Sequence, residues 1–219
     1  MNETAASRHI YLVRHGVTSW NQAMRMQGQT DVSLGELGTR QAERLAAHIG
    51  GMALAPQAIW SSDLLRATAT ADAIALPLGL VVRTLPELRE IKFGAWEGLT
   101  TEEIEARGEG ELLANYRRDP LRYRPPGSET LHAVWERMIG AMATIWKESG
   151  DAKRIVVVGH GGSLRVLVCD AIKAPITSMR HFFFENASLS LIEEKQTADG
   201  MFRRLLVFND THYLEGLDG

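Results

Sequence analysis

The sequence predicts an α/β fold, a three-layer sandwich with a mostly parallel central sheet and helices on both faces. Three observations carry this expectation. The short runs "IYLV", "AIWSS", "LVVRTL" and "RIVVVGH" are largely apolar and rich in β-branched residues, as strands buried on both faces are. Stretches with helical spacing separate these runs, which is the alternation of βαβ units. The 219 residues, 45% hydrophobic and 23% charged, suffice for one large domain spanning 1–219, and no linker divides them.

The elements follow in order. Ile10 to Val13 reads as a buried strand that stops abruptly at Arg14, His15 and Gly16, where the glycine allows a turn that residues with a Cβ avoid. In "GELGTRQAERLAAHIGG", Ala42, Leu45, Ala46 and Ile49 recur at helical spacing, and Gly50 and Gly51 close the helix. "AIWSS" runs into the alanine-rich helix "DLLRATATADAIA", for which Ser62 or Asp63 suits the N-cap. After "LVVRTL", residues 86–126 break the alternation as an insertion over a binding site would, and one of their short helices opens with the capping box Thr100-x-x-Glu103.

The longest helix lies in "PPGSETLHAVWERMIGAMATIWKESG". Leu131, Val134, Trp135, Met138, Met142, Ile145 and Trp146 form one apolar stripe on it, which is what a core-facing side requires. "RIVVVGH" and "GGSLRVLVCDAIK" add a strand and a helix, and "ASLSLIEEK" and "FRRLLVFN" two final strands before a short tail. No internal repeat or low-complexity segment is visible.

Composition excludes several classes. A net charge of -3 supplies no global field for nucleic acid or an anionic membrane, so a small anionic substrate needs a local positive cluster. The single Cys169 excludes an intrachain disulfide and fits a reducing compartment. The start, "MNETAASRHI", lacks the basic flank and apolar core of a signal peptide, and the apolar runs are too short to span a bilayer. A cytoplasmic protein acting on a small molecule is expected, with homo-oligomer formation left open.

Four places share one design: a strand ends and a reactive side chain follows. They are Arg14 with His15, Arg66 after "IWSS", Glu90 in "LPELREIKFG", and His160 with Gly161 and Gly162 behind it. Taken singly, Arg66 could be a solvated helix residue and Glu90 a surface carboxylate. If the strands are parallel, the exits share one sheet edge, where such sheets bind ligands. Guanidinium forks and helix N-termini there would hold a phosphate, and the glycines suggest that Gly161 approaches the ligand closely. No His, Asp or Glu set has metal-ligand spacing such as H-E-x-x-H, so no metal is expected.

At these residues the chain resembles the histidine phosphatase superfamily, also called phosphoglycerate-mutase-like, over nearly its whole length. "RHGVTSWN" is similar to the opening motif, "QGQTDVSLGELGTRQA" to the next segment and "SSDLLRATATA" to the second arginine motif. "LREIKFGAWEGLT" resembles the acid motif and "VVVGHGGSLRVLV" the second histidine motif. The resemblance implies that His15 is the nucleophile and that Arg14, Arg66 and His160 bind the phosphoryl group. It further implies that Asn21 assists, that Glu90 donates the proton, and that a phosphohistidine forms with no cofactor or metal. Many members carry Glu or Gln where Val17 stands, a departure that bears on pocket closure and substrate choice.

Physical chemistry then expects neighbouring arginines to keep His15 neutral, and a protonated His160 to help stabilise the transferring phosphoryl group. Glu90 is followed by Ile91, Lys92 and Phe93, where mutases of this resemblance carry Arg-His-Tyr and a longer insertion. "FGAWEG" and "PPGSET" look most like α-ribazole phosphatase and related broad-specificity phosphatases. A phosphatase of small phosphomonoesters is therefore expected, with mutase-type transfer or a non-catalytic phospho-ligand-binding protein as alternatives. In "NYRRDPLRYRPPG", Arg117, Arg118, Arg122 and Arg124 interleave with Tyr116 and Tyr123. Arg122 and Arg124 are expected to meet a second anionic group of the substrate.

Overall fold

In a computed structural model, which describes residues 7–217, the chain alternates as anticipated. The elements are β1 (Arg8–Arg14), α1 (Ser19–Gln22), α2 (Glu36–Gly50), β2 (Ala58–Ser61), α3 (Leu65–Leu78), β3 (Val82–Thr84), α4 (Thr101–Ala106), α5 (Gly110–Arg118), α6 (Leu131–Glu148), β4 (Arg154–Gly159), α7 (Gly161–Ala171), β5 (Leu189–Thr197) and β6 (Gly200–Asp210). The signal-peptide reading rests on residues 1–6, which lie outside the described residues.

One mixed sheet runs β3-β2-β4-β1-β5-β6. The first four strands in space are mutually parallel, and the β5–β6 hairpin joins antiparallel to β1. β4 is the deepest strand: Ile155, Val156, Val157 and Val158 are all fully buried. Such a strand is apolar on every side chain because both its faces are covered.

The period-two alternation of side chains divides the core in two. Tyr11, Val13, Ile59, Val156 and Val158 pack under α2 and α3 through Leu45, Ile49, Ala67, Ala71 and Ile74. Ile10, Leu12, Trp60, Ile155 and Val157 face α6 and α7 through Val134, Met138, Ile145, Leu164 and Val168. Burying each such aliphatic side chain contributes about 1.5–3 kcal/mol, so both layers are strongly specified.

Register positions the site. Val13 lies opposite Val158 and Arg14 opposite Gly159, so His15 and His160 each follow a paired strand end. The His15 N–H donates to the Gly159 carbonyl at 3.1 Å, which carries the pairing into the turn.

Three local expectations change. Neither Ser62 nor Asp63 caps α3: Leu64 is the N-cap residue, and the Leu65 N–H is instead satisfied by the Asp31 carboxylate at 2.8 Å. Trp135 is off the α6 stripe at 38% exposure, and Ala141 is buried on that side instead. Gly16 has no positive φ; it is glycine because a Cβ there would lie 2.4 Å from the Gly38 carbonyl oxygen of α2.

Residues 86–126 form an arch of two 3-10 turns, Pro86–Leu88 and Gly94–Trp96, with α4 and α5. The arch has a small core of its own in Trp96, Ile104 and Leu113. Thr100 and Glu103 make both halves of the capping box, at 3.2 and 3.0 Å.

Candidate active site

The strand exits meet at a cavity of about 210 Å³. Its wall contains Arg14, His15, Asn21, Arg66, Glu90, Gly161 and Gly162. His160 is not part of that wall. It sits fully buried one layer back, its ring centroid 5.1 Å from that of His15 and the planes inclined by 58°.

Hydrogen bonds assign the proton on each ring. His15 Nδ1 lies 2.7 Å from the Gly16 carbonyl oxygen, which can only accept, so Nδ1 carries the proton and the neutral ring keeps its lone pair on Nε2. Arg66 donates through Nε to His160 Nδ1 at 3.2 Å, which puts the His160 proton on Nε2. That Nε2 is buried without a partner among the described residues, as is Arg14 Nε. Unpaired buried donors are costly, and two beside an arginine-rich cavity fit an anion that completes them.

Electrostatics agrees with these tautomers. Burial, then the Arg14 and Arg66 charges, hold His15 well below the ordinary histidine range. His160 is also held well below it, by burial first and then by Arg66, His15, Arg14 and Arg137. The expected imidazolium at residue 160 is therefore corrected: the ring is a neutral Nε2–H donor, because Arg66 occupies its other nitrogen. Burial lowers Arg14 to about 10, so that guanidinium stays charged at neutral pH.

Arg66 is completely buried. Besides His160 it donates to the Thr30 carbonyl at 2.9 Å and the Gly28 carbonyl at 2.8 Å. Of five guanidinium N–H groups, two remain for a ligand. Arg14 donates through Nη1 to the Phe184 carbonyl.

Glu90 occupies the N-terminus of α7. Its Oε2 accepts from the Gly162 N–H at 2.8 Å, and its Oε1 accepts from the Ser163 and Ile91 N–H groups at 2.9 and 2.8 Å. The expectation that this helix start offers its amides to phosphate is thus corrected, since the carboxylate takes two of them. Glycine at 162 leaves room for this carboxylate, because a Cβ would lie 2.4 Å from Glu90 Oε1 and push it aside.

Asn21 Oδ1 receives Thr18 N–H and Oγ1–H, each at 3.1 Å, and Asn186 Nδ2–H at 3.3 Å. These donors assign the amide orientation, leaving its NH₂ for a ligand. Arg122 and Arg124 are exposed and take no part in the cavity wall; the Arg122 guanidinium lies 5.5 Å from the centre of its neighbour Tyr123. Val17 also lies off this wall and lines a separate cavity with Gln41 and Asn186.

The histidine phosphatase superfamily (branch 1) matches residues 10–210 of the sequence. The chain belongs to this superfamily. Glucosyl-3-phosphoglycerate phosphatase of Mycobacterium tuberculosis is 36% identical over 179 residues, 78% of each chain. The probable phosphoglycerate mutase GpmB of Cronobacter sakazakii is 36% identical over 190 residues, 86% of each chain. A solved structure of a putative α-ribazole-5'-phosphate phosphatase from Escherichia coli superposes with a TM-score of 0.82 at 27% identity, covering 94% of this chain and 97% of that one. As a histidine phosphatase, the chain is a phosphoric monoester hydrolase.

Sequence reasoning missed several residues around the histidine phosphatase site. Asn186 donates to the His15 carbonyl at 3.0 Å and bridges to Asn21. Arg25, Phe93, Arg165 and Phe183 line the cavity. Arg165 was findable, because it stands one helical turn after Gly161 on the same face of α7. Asn186 and Arg25 gave no linear signal, since tertiary folding alone brings them in. Among the described residues, no helix is long and apolar enough to cross a membrane.

Proposed function

We propose that the chain hydrolyses small phosphomonoesters in two steps, with His15 Nε2 as the nucleophile. The observation that carries this reading is the commitment of His15 Nδ1 to the Gly16 carbonyl at 2.7 Å, which keeps the Nε2 lone pair for attack. In the first step the Nε2–P bond forms and the P–O bond to the alcohol breaks, with the leaving oxygen taking a proton from Glu90. In the second, water attacks phosphorus, Glu90 accepts its proton, and the P–N bond breaks to release phosphate.

The charge on the equatorial oxygens meets Arg14, the two remaining Arg66 N–H groups, the His160 Nε2–H and the Asn21 amide. One guanidinium about 4 Å from a unit negative charge contributes roughly 4 kcal/mol at an effective dielectric of about 20. Two such groups supply the role that a metal plays elsewhere, so the reaction proceeds without one. The buried free Cys169 supports a reducing, cytoplasmic setting. Residues 1–219 act as one unit, with the 86–126 arch as the roof that brings Glu90 and Phe93 to the cavity.

Rapid quench with a ³²P-labelled ester tests this. Wild type traps an acid-labile phosphoryl group on His15, His15→Ala traps none, and near wild-type turnover by the variant overturns the assignment. The GpmB relative motivates one competing reading, mutase-type transfer. Interconversion of phosphoglycerates with a bisphosphate primer, faster than phosphate release, would establish it instead.

A further inference from the structure

Residue 48 lies too far along the chain from residues 210 and 212 for linear spacing to connect it with them, yet folding gathers three ligand-type side chains. His48 stands in the last turn of α2, Asp210 ends β6, and His212 opens a 3-10 turn, His212–Leu214. One nitrogen or carboxylate oxygen from each lies within 4.8 Å of those from the other two. None of the three lines the phosphate cavity, and the hydrolytic mechanism uses none of them.

The cluster is held in place by more than proximity. His48 stacks on Tyr213 at 4.6 Å and 16°, and meets His212 edge-on at 4.9 Å and 88°. His212 Nδ1 lies 2.7 Å from Asp210 Oδ1, and the same oxygen accepts the His212 N–H at 3.1 Å. These contacts hold the three side chains against one another, so less ordering remains to be done on binding a ligand.

Charge points to a cation. The C-terminus of α2 presents the negative end of its dipole, and Asp210 adds a carboxylate. Two imidazoles and a carboxylate are the donor set that borderline divalent ions select.

We infer that His48, Asp210 and His212 form a binding site for a divalent transition metal such as Zn²⁺ or Co²⁺, separate from the phosphate cavity. Three protein ligands leave at least one position for water. Its structural effect is a clamp between α2 and the turn that follows β6.

The test uses the full chain, stripped with a chelator and saturated with inorganic phosphate to occupy the catalytic cavity. Titration with Co²⁺, followed by ligand-field absorption, is expected to reach one ion per chain, and Zn²⁺ should displace it. His48→Ala, His212→Ala and the milder His48→Gln should each weaken Co²⁺ binding by about tenfold or more, while retained phosphatase turnover shows that the variants are folded. His15→Ala should bind Co²⁺ as wild type does. The inference is overturned if wild type binds no Co²⁺ under these conditions, or if the double variant His48→Ala/His212→Ala binds it as well as wild type.

Discussion

Arg66 donates through Nε to Nδ1 of His160 at 3.2 Å, and in doing so decides which proton His160 carries. A cation thereby makes its histidine neighbour a neutral donor. The same arginine helps to keep His15 neutral, after burial and Arg14. One buried guanidinium thus adds to burial in keeping both rings that flank the phosphate site neutral.

This arrangement has a consequence for stability against pH. Both histidines have folded values below the unfolded value of about 6.5, so the unfolded state binds more protons in acid. Their contribution is fully present above about pH 6.5 and is lost as pH falls below it, with a slope of up to about 1.4 kcal/mol per pH unit for each ring. Urea unfolding between pH 7 and the acid range should show this slope, and His15→Gln/His160→Gln should flatten it. Carbon-13 titration of the labelled rings should show neither titrating near 6.5, and a normal midpoint for either would refute the depressed value.

Glu90 and Gly162 act as a pair. Replacing Glu90 with Gln removes the proton donor, and should slow alkyl phosphates by about 10²–10⁴-fold but p-nitrophenyl phosphate far less, since that leaving group needs little help. Gly162→Ala should reproduce the selectivity, because its Cβ would displace Glu90 Oε1 from a site 2.4 Å away. Equal slowing of both esters in the burst phase would remove Glu90 from the role of acid.

Arg137 on α6 is the strut beneath Glu90. It grips Glu129 with both arms of its fork, at 2.8 and 2.9 Å, and donates to the carbonyls of Glu87, Arg89 and Glu90. Side-chain exposures of 16% and 20% make this ion pair partly buried. Arg137→Ala should cost about 2–3 kcal/mol in urea unfolding, as it leaves Glu129 without its counter-charge and the Glu87 and Arg89 carbonyls without this donor. Arg137→Lys should recover little, because one ammonium cannot reproduce the fork. A loss under about 0.5 kcal/mol would mean that the arch holds Glu90 unaided.

Residues that follow a buried strand were legible, because strand exits and parallel register are both written in local apolar patterns. Arg14, His15 and His160 are of this kind. Features closed by distant partners were not. The α3 start is capped by Asp31 from another loop, Glu90 fills a helix terminus that sequence reasoning gave to phosphate, and Asn186 reaches the His15 carbonyl from the turn before β5, 171 residues along the chain. Arg122 and Arg124 misled because a basic run beside a site looks the same whichever way it faces. Here Asp119 ends α5, accepting the Arg122 N–H at 3.3 Å, and the arginines that follow stand in solvent.

If the substrate carries a second anionic group, the arginines that do line the cavity are the ones expected to meet it, and Arg25 and Arg165 differ. Arg25 is already matched by Glu103, with contacts of 2.6 and 3.0 Å. Arg165 has no carboxylate partner among the described ion pairs; its Nε donates to the Gly161 carbonyl at 2.8 Å and its Nη1 makes only a 3.5 Å contact to the Met179 carbonyl. Its charge is thus available to a carboxylate or second phosphate on the substrate. A charged hydrogen bond contributes about 1.5–3 kcal/mol, which corresponds to roughly 10–150-fold in affinity. Because that contact exists equally in ground and transition states, Arg165→Ala should raise KM for phosphoglycerate by that factor and leave kcat nearly unchanged. Glycerol phosphate, which lacks the carboxylate, should show a much smaller change. Arg25→Ala should have a weaker effect, and Arg122→Ala or Arg124→Ala none. Discrimination lost on replacing Arg122 but not Arg165 would move substrate choice to the outer face of the arch.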